Sequence, residues 1–267
     1  MARKSALINV MEAAVRKASR KLLRDFNEVE NLQVSRRGPA EFVSAANVSA
    51  EKTLRGELSQ ARPDFGFRLE GSETVPAKDG SHYWIVNPLD CTTNFLHGIP
   101  HFAISIAVME GKNLIAGVIL DPVKDELFWA TKGDGAFING HRLRVSARNS
   151  MANSILATGV PYLGKPGHDE FLREAHEIMA VSAGIRHFGS AALDLAYVAA
   201  GRFDGFWERG LSEWDMAAGI IIMREAGGLV SQIDAGEKMV EKGDILATNS
   251  GINQHMLDLL RRARKKV

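Results

Sequence analysis

The sequence predicts an α/β protein built on mixed sheets. Three observations carry that expectation. The chain opens with apolar residues at helical spacing. Its middle is a series of short apolar runs divided by turn residues. Its second half alternates strand-length with helix-length segments. The chain has 267 residues, 45% of them apolar and 24% charged. That is enough to bury a substantial core without disulfide or metal staples.

From Ala6 to Leu23 the apolar residues Leu7, Val10, Met11, Ala14, Val15, Ala18 and Leu22 form one stripe, with basic residues opposite. A second helix is expected from about Val48 to Ala61, burying Leu54 and Leu58; Pro63, Asp64 and Gly66 end it. Strands are expected at Gly66–Glu70, Tyr83–Val86, Ala103–Met109, Leu114–Leu120 and Glu126–Thr131. Gly111-Lys112, Asp121-Pro122 and Asn139-Gly140 are the turns between them. Asn139-Gly140 suits a type I′ hairpin, whose two central residues need positive φ. Beyond it, strands at Ile155–Thr158, Asp204–Trp207, Leu229–Ile233 and Ile245–Thr248 alternate with helices. Those helices are expected at His168–Ala180, Ser190–Ala200, Trp214–Ala226 and Asn253–Arg264. Gly201 and Gly227-Gly228 are helix stops. A seam near 145–150 divides one compact catalytic-type domain into a hairpin-rich half, about 1–147, and a βα-alternating half, 148–267.

Thirty-three Lys and Arg face 32 Asp and Glu, a formal charge of +1. That balance argues against a chain whose main task is to coat nucleic acid or an anionic membrane. The single cysteine rules out an internal disulfide and any Cys-based zinc or iron–sulfur framework within one chain. A reducing cytoplasm is the expected location. No targeting segment is expected, because Glu12, Arg16 and Lys17 interrupt the first stripe, and no run reaches 18 apolar residues.

Three segments carry chemistry. The first is Leu69-Glu70-Gly71-Ser72-Glu73, where a strand gives way to a loop. The second runs Trp84-Ile-Val-Asn87-Pro88-Leu89-Asp90-Cys91-Thr92-Thr93-Asn94-Phe95. The third is Leu211-Ser212-Glu213-Trp214-Asp215-Met216-Ala217-Ala218-Gly219. In the second, Pro88 biases Asn87 toward an extended backbone. Asp90 then falls at a strand's carboxyl end, where α/β sheets place ligands. Thr92 and Thr93 suit an N-cap, so a helix start would present free N–H groups to an anion. A metal bridging Asp90 to a phosphate fits this pattern. A capped turn with a solvated Asp fits it equally. Ser212-x-x-Asp215 has the form of a capping box, which by itself explains Asp215 without any metal. Glu70 alone reads as a surface carboxylate.

Taken together, the three segments resemble the motifs of the inositol monophosphatase family, and more narrowly its bacterial extragenic-suppressor branch. The second motif of that family reads W-hydrophobic-D-P-hydrophobic-D-G-T-T-N-F, and its third W-D-x-A-A/G-G. Gly189-Ser190-Ala191-Ala192-Leu193-Asp194-Leu195-Ala196-Tyr197 and Gly201-Arg202-Phe203-Asp204-Gly205 extend the match. The resemblance implies a layered αβαβα sugar-phosphatase-like fold and a Mg²⁺-dependent phosphomonoesterase, in which water attacks in line without a phosphoenzyme. It implies metal ligands at Glu70, Asn87, the Leu89 carbonyl, Asp90 and Asp215, with Glu70, Asp90 and Thr92 in the catalytic step. It places Cys91, Thr92, Thr93, Ser190, Ala191, Glu208 and Asp215 around the substrate, a small phosphate ester. A homodimer is expected on the same ground.

Four positions depart from the family pattern. Asn87 stands in place of a metal-binding Asp and Cys91 in place of Gly. Gly71 replaces a frequent Glu, and Asn47 replaces an Asp that partners Thr92. Asn87 keeps an oxygen but loses a charge, so hard cations should bind more weakly. Asn47 can hydrogen-bond Thr92 but cannot take a proton. Cys91 puts a Cβ and a thiol where the backbone should approach a phosphate. Two functions follow. One is a phosphatase of weakened activity toward inositol monophosphate or a related ester. The other is a catalytically impaired homologue kept as a protein partner of the transcription machinery. Basic residues Arg36-Arg37 and the tail Arg261-Arg262-Ala-Arg264-Lys265-Lys266 could serve the second, although cations at a helix end also complement its dipole.

Other chemistries fit less well. A cysteine phosphatase would need Cys-x5-Arg, and His97 stands at that place. Gly133-Asp-Gly135 lacks the third glycine of a dinucleotide loop. No His-Glu-x-x-His occurs, and His97 and His101 read as loop or surface residues rather than ligands.

Overall fold

A computed structural model describes residues 4–28 and 39–265. Arg36, Arg37 and Lys266 lie outside them. Helices α1 (Ala6–Asn27) and α2 (Pro39–Ala61) come first. Ser5 caps α1 by accepting a hydrogen bond from the Ile8 N–H. The second helix begins nine residues before the expected Val48, and its buried stripe takes in Ala46 and Ala50 ahead of Leu54 and Leu58.

Seven strands follow: β1 (Gly66–Leu69), β2 (His82–Asp90), β3 (Ala103–Glu110), β4 (Asn113–Asp121), β5 (Glu126–Thr131), β6 (Gly135–Ile138) and β7 (His141–Arg142). They form one sheet in chain order, with β1 parallel to β2 and the rest antiparallel. A single-turn helix, α3 (Thr92–Leu96), follows β2. Asn139 and Gly140 close a two-residue hairpin between β6 and β7, both at positive φ as expected.

The second sheet holds β8 (Ile155–Thr158), β9 (Gly184–Arg186), β10 (Gly205–Glu208), β11 (Leu229–Ser231) and β12 (Ile245–Thr248), in the order β11-β12-β10-β8-β9. Between its strands lie α4 (His168–Met179), α5 (Ala191–Ala199), α6 (Glu213–Glu225) and α7 (Met239–Lys242); α8 (Asn253–Lys265) ends the described chain. Two of these, β9 and α7, have no counterpart in the sequence reading. They are three and four residues long, too short for a periodicity to register.

Side-chain alternation assigns the layers. Along β3, Ile104, Ile106 and Val108 pack with α1 and α2, while Ala103, Ala107 and Met109 face α5 and α6. Along β10, Phe206 joins the same α5–α6 layer, while Trp207 packs with Ile178 of α4 and Leu260 of α8. The order is therefore helices, sheet, helices, sheet, helices, as the αβαβα expectation had it. Helix α5 is buried along its whole length and α6 from Met216 to Met223, because sheets cover both sides. The middle layers sit close. A Cβ on Gly117 of β4 would lie 2.5 Å from Ile221 Cγ2 and 2.9 Å from Ala218 O of α6. No helix among the described residues is long and apolar enough to cross a membrane.

Candidate active site

The site is set by an irregularity in β2. Asn87 pairs with Ser105, and three residues later Asp90 pairs with Ala103, only two residues away on β3. One extra residue is thus bulged at Pro88, which lacks the N–H a regular ladder needs. The bulge turns Asn87 and Asp90 toward a cavity of about 690 Å³. Glu70, just past the end of β1, opens into it, as do Asp215 on the first turn of α6 and Glu208 at the end of β10. Leu89, Cys91, Thr92, Thr93 and Ala191 line it as well.

Ser190 does not line it. It lies fully buried behind Asp90, donating its hydroxyl to Asp90 Oδ2 and accepting from the Leu193 N–H as the cap of α5. The Ala192 N–H also donates to Asp90 Oδ2, at 3.1 Å. Asp90 is thus braced from the middle helix layer.

Asp215 has two duties. Its Oδ2 accepts from the Ser212 N–H at 2.8 Å, the carboxylate half of a capping box. Its Oδ1 accepts from Asn87 Nδ2 at 3.0 Å. Asn87 in turn uses its own Oδ1 to accept from the Leu89 N–H at 3.2 Å. The capping reading and the site reading of Asp215 therefore hold together.

The carboxyls resist ionisation. Burial, and then the Asp215 charge, push Glu70 and Asp90 upward. Burial pushes Asp215 the same way, against the Ser212 N–H, the Lys165 charge and the Asn87 amide. Glu208 is pushed by burial up to about 8. Its carboxyl fills the space beside Gly159, where a Cβ would lie 2.0–2.2 Å from the Glu208 carboxyl atoms. At neutral pH it holds a proton and can donate to a hydroxyl oxygen.

Three expectations need correction. Thr92 and Thr93 are not caps: Cys91 precedes the helix, without a side-chain cap, and both threonines stand inside its first turn. Helix α3 has five residues, too few for a useful macrodipole. Asn47 Oδ1 is buried with no partner among the described residues, so it makes no bond to Thr92 through that oxygen. Cys91 takes the left-handed conformation, φ 68°, that glycine adopts without strain. Its thiol is pushed up to about 12 by burial, which disfavours a nucleophilic thiolate. Gly71 is also left-handed, at φ 71°. His101 lies in a loop as expected, packed on Phe188 and Tyr197 and held neutral, down to about 4, by burial.

The sequence reading missed Gly159, Lys165 and His187, all of which line the cavity. The available signal was the Gly- and Pro-rich run Gly159-Val-Pro-Tyr-Leu-Gly-Lys165-Pro-Gly167, directly after the carboxyl end of β8.

The donors suit a hard cation in kind, since Glu70, Asp90 and Asp215 offer only oxygen. Glu70 Oε2 is buried and has no partner among the described residues, so a positive charge is wanting there. Among the described residues, no three His, Cys, Asp or Glu side chains are closed tightly enough to hold a metal ion alone. Asn87, a neutral amide, joins the group through its hydrogen bond to Asp215.

A five-layered fold with carboxylates gathered at a bulged strand end defines the sugar-phosphatase-like class. Comparison with known proteins narrows it. The inositol monophosphatase family model matches residues 3–266. An inositol-1-monophosphatase of Rhizobium meliloti is 52% identical over 259 residues, 97% of each chain. The Nus factor SuhB of Pseudomonas aeruginosa is 42% identical over 248 residues, covering 91% of this chain and 92% of that one. A crystal structure of the extragenic suppressor protein suhB from Bartonella henselae superposes with a TM-score of 0.90 at 53% identity. It covers 98% of this chain and 100% of that one. The chain belongs to the inositol monophosphatase family.

Proposed function

We propose that this chain is a Mg²⁺-dependent phosphomonoesterase that hydrolyses inositol monophosphate or a closely related polyol phosphate. The observation that carries the reading is the convergence of Glu70, Asp90 and Asp215, from three distant segments, on one cavity. The relatives named inositol-1-monophosphatase, at 51–52% identity, support the substrate class.

Glu70, Asp90, Asp215 and the Leu89 carbonyl would hold the ion, with the Asn87 oxygen as a weak further ligand. Bound Mg²⁺ supplies water activation and neutralisation of phosphate charge. Asp90 is held in place by Ser190 and Ala192. Protonated Glu208 donates to a hydroxyl of the alcohol, while Thr92, Thr93 and Ala191 shape the wall around the ester. Asn87, Asn47, Gly71 and Cys91 remove acid or backbone access from this site and reduce turnover. The two sheets support one catalytic unit with halves meeting near residue 147.

The test is phosphate release from inositol-1-phosphate across a Mg²⁺ titration, with EDTA as the blank. No turnover by folded protein at saturating Mg²⁺ would sink the reading. The second reading, an impaired homologue partnering the transcription machinery, is favoured by relatives named Nus factor at 36–42% identity. Retention of RNA polymerase by the immobilised chain, together with absent turnover, would select it. A cytoplasmic homodimer is part of the proposal under either reading, and sedimentation velocity tests the dimer.

A further inference from the structure

Lys165 is the one Lys or Arg among the residues lining the carboxylate cavity. It sits on the loop between β8 and α4, flanked by Pro166 and by Gly164 at φ 90°, with Gly167 at φ 98° just beyond. Gly159, Val160, Pro161 and Tyr162 of the same loop line the cavity beside it. Lys165 also borders a second cavity of about 640 Å³, which shares Gly159 and Glu208 with the first.

Its ammonium is poorly satisfied. Nζ donates to the Gly210 carbonyl at 3.4 Å, a long contact, and lies 5.3 Å from the centre of the Tyr162 ring. Among the described residues no carboxylate lies within ion-pair distance of it, unlike Lys124 and Arg209, which are paired to buried acids. An ammonium with three donors retains spare capacity here. The neighbouring His187 spends its Nδ1–H on the Thr158 carbonyl at 3.0 Å.

A phosphate ester entering this cavity meets Glu70, Asp90 and Asp215. One divalent cation does not cancel three carboxylates, and Asn87, already bonded to Asp215, offers no charge to hold a second. The incoming dianion needs a further cation. We propose that Lys165 is a binding residue for the phosphoryl group, gripping its oxygens from the loop side. The proposal rests on the phosphatase reading and adds a residue that the motif positions do not include. Charge-assisted hydrogen bonds are the strong ones, and losing one weakens an anion's binding by about tenfold or more.

The test uses the full-length chain with Mg²⁺ and inorganic phosphate as probe. Calorimetry gives the phosphate dissociation constant of the wild type, Lys165→Met and Lys165→Arg. Lys165→Met should weaken phosphate about tenfold or more and raise KM for inositol-1-phosphate by a similar factor. Lys165→Arg should recover most of both. The melting temperature should not move, since the residue is on a partly exposed loop. Wild-type affinity and KM in Lys165→Met, in a protein that binds phosphate and turns over, would overturn this proposal alone. Wild-type protein that neither binds phosphate nor hydrolyses the ester would overturn it together with the phosphatase reading.

Discussion

Asn87→Asp is the substitution through which the structure makes its sharpest prediction. Asn87 is buried, and its amide N–H bonds Asp215 Oδ1 at 3.0 Å. The Asp side chain has the same shape, and its carboxylate can still accept from the Leu89 N–H. What changes is the contact with Asp215, where a donor–acceptor pair becomes two acceptors. At an effective dielectric of 20, two unit charges 3 Å apart repel by roughly 5 kcal/mol. Protonating one carboxylate at pH 7.5 instead costs about the same. Relaxation lowers either figure, so about 3–4 kcal/mol of stability should be lost in metal-free protein. For a chain of this size that is a fall in Tm of roughly 10 °C. Mg²⁺ should then restore stability, by about 2.7 kcal/mol at a hundred times its dissociation constant. The wild type, with its neutral cross-link, should gain much less. Thermal unfolding of both proteins in EDTA and across a Mg²⁺ titration measures this directly. Turnover at saturating Mg²⁺ should rise in the variant, and further when Asn47→Asp is added. Equal melting in EDTA and an equal Mg²⁺ response would refute the account of Asn87 as an internal substitute for cation charge.

Other outcomes follow from the same geometry. Glu208 is pushed from 4.5 up to about 8, so the folded state keeps its proton longer than the unfolded state. Stability is therefore fully present below about pH 4.5 and is lost as pH rises toward 8, at up to ~1.4 kcal/mol per unit for this group. Melting curves in EDTA should show that decline, steepened by Glu70, Asp90 and Asp215, and Glu208→Gln should remove the share that Glu208 contributes. Ser190→Ala removes both the cap of α5 and a donor to buried Asp90, which should destabilise by about 2–4 kcal/mol in urea unfolding.

Most of the fold was legible because its elements are long and one-sided. Ile104, Ile106 and Val108 against Ala103, Ala107 and Met109 announce a strand covered on both faces. Leu54 and Leu58 likewise announce a buried helix stripe. Elements without such length escaped, as β9 and α7 did. The start of α2 was lost because ahead of Leu54 the buried stripe is carried by the small side chains of Ala46 and Ala50, whose apolar signal is weak. In the site, Asp90 was legible from its place at a strand end. The bulge at Pro88 that aims it was not, since a proline signals a break without saying where the next side chain will point. Cys91 was legible as a misfit, and its left-handed backbone explains why glycine would suit the position. Lys165 was invisible because the β8–α4 loop carries no periodicity, and only the folded chain brings it over acids distant in sequence.

Two of the three site carboxylates have structural work that is independent of any ion. Asp215 caps α6, and Asp90 ties β2 to α5. Their presence would be explained in a chain that had lost its chemistry. Glu70 has no such duty. Its Oε2 is buried without a partner among the described residues, and Asp215 repels its charge. A carboxyl with a buried, unpartnered oxygen destabilises a fold, so a residue of this kind points to function rather than to folding. Glu70→Gln removes the charge at constant shape. In EDTA the variant should melt a few degrees above the wild type, with about 1–2 kcal/mol gained. In Mg²⁺ the gap should narrow, because the wild type gains from the ion and the variant does not. A variant that melts below the wild type in EDTA would mean that Glu70 holds the fold together after all. The convergence of carboxylates would then no longer favour a metal over a set of well-placed caps.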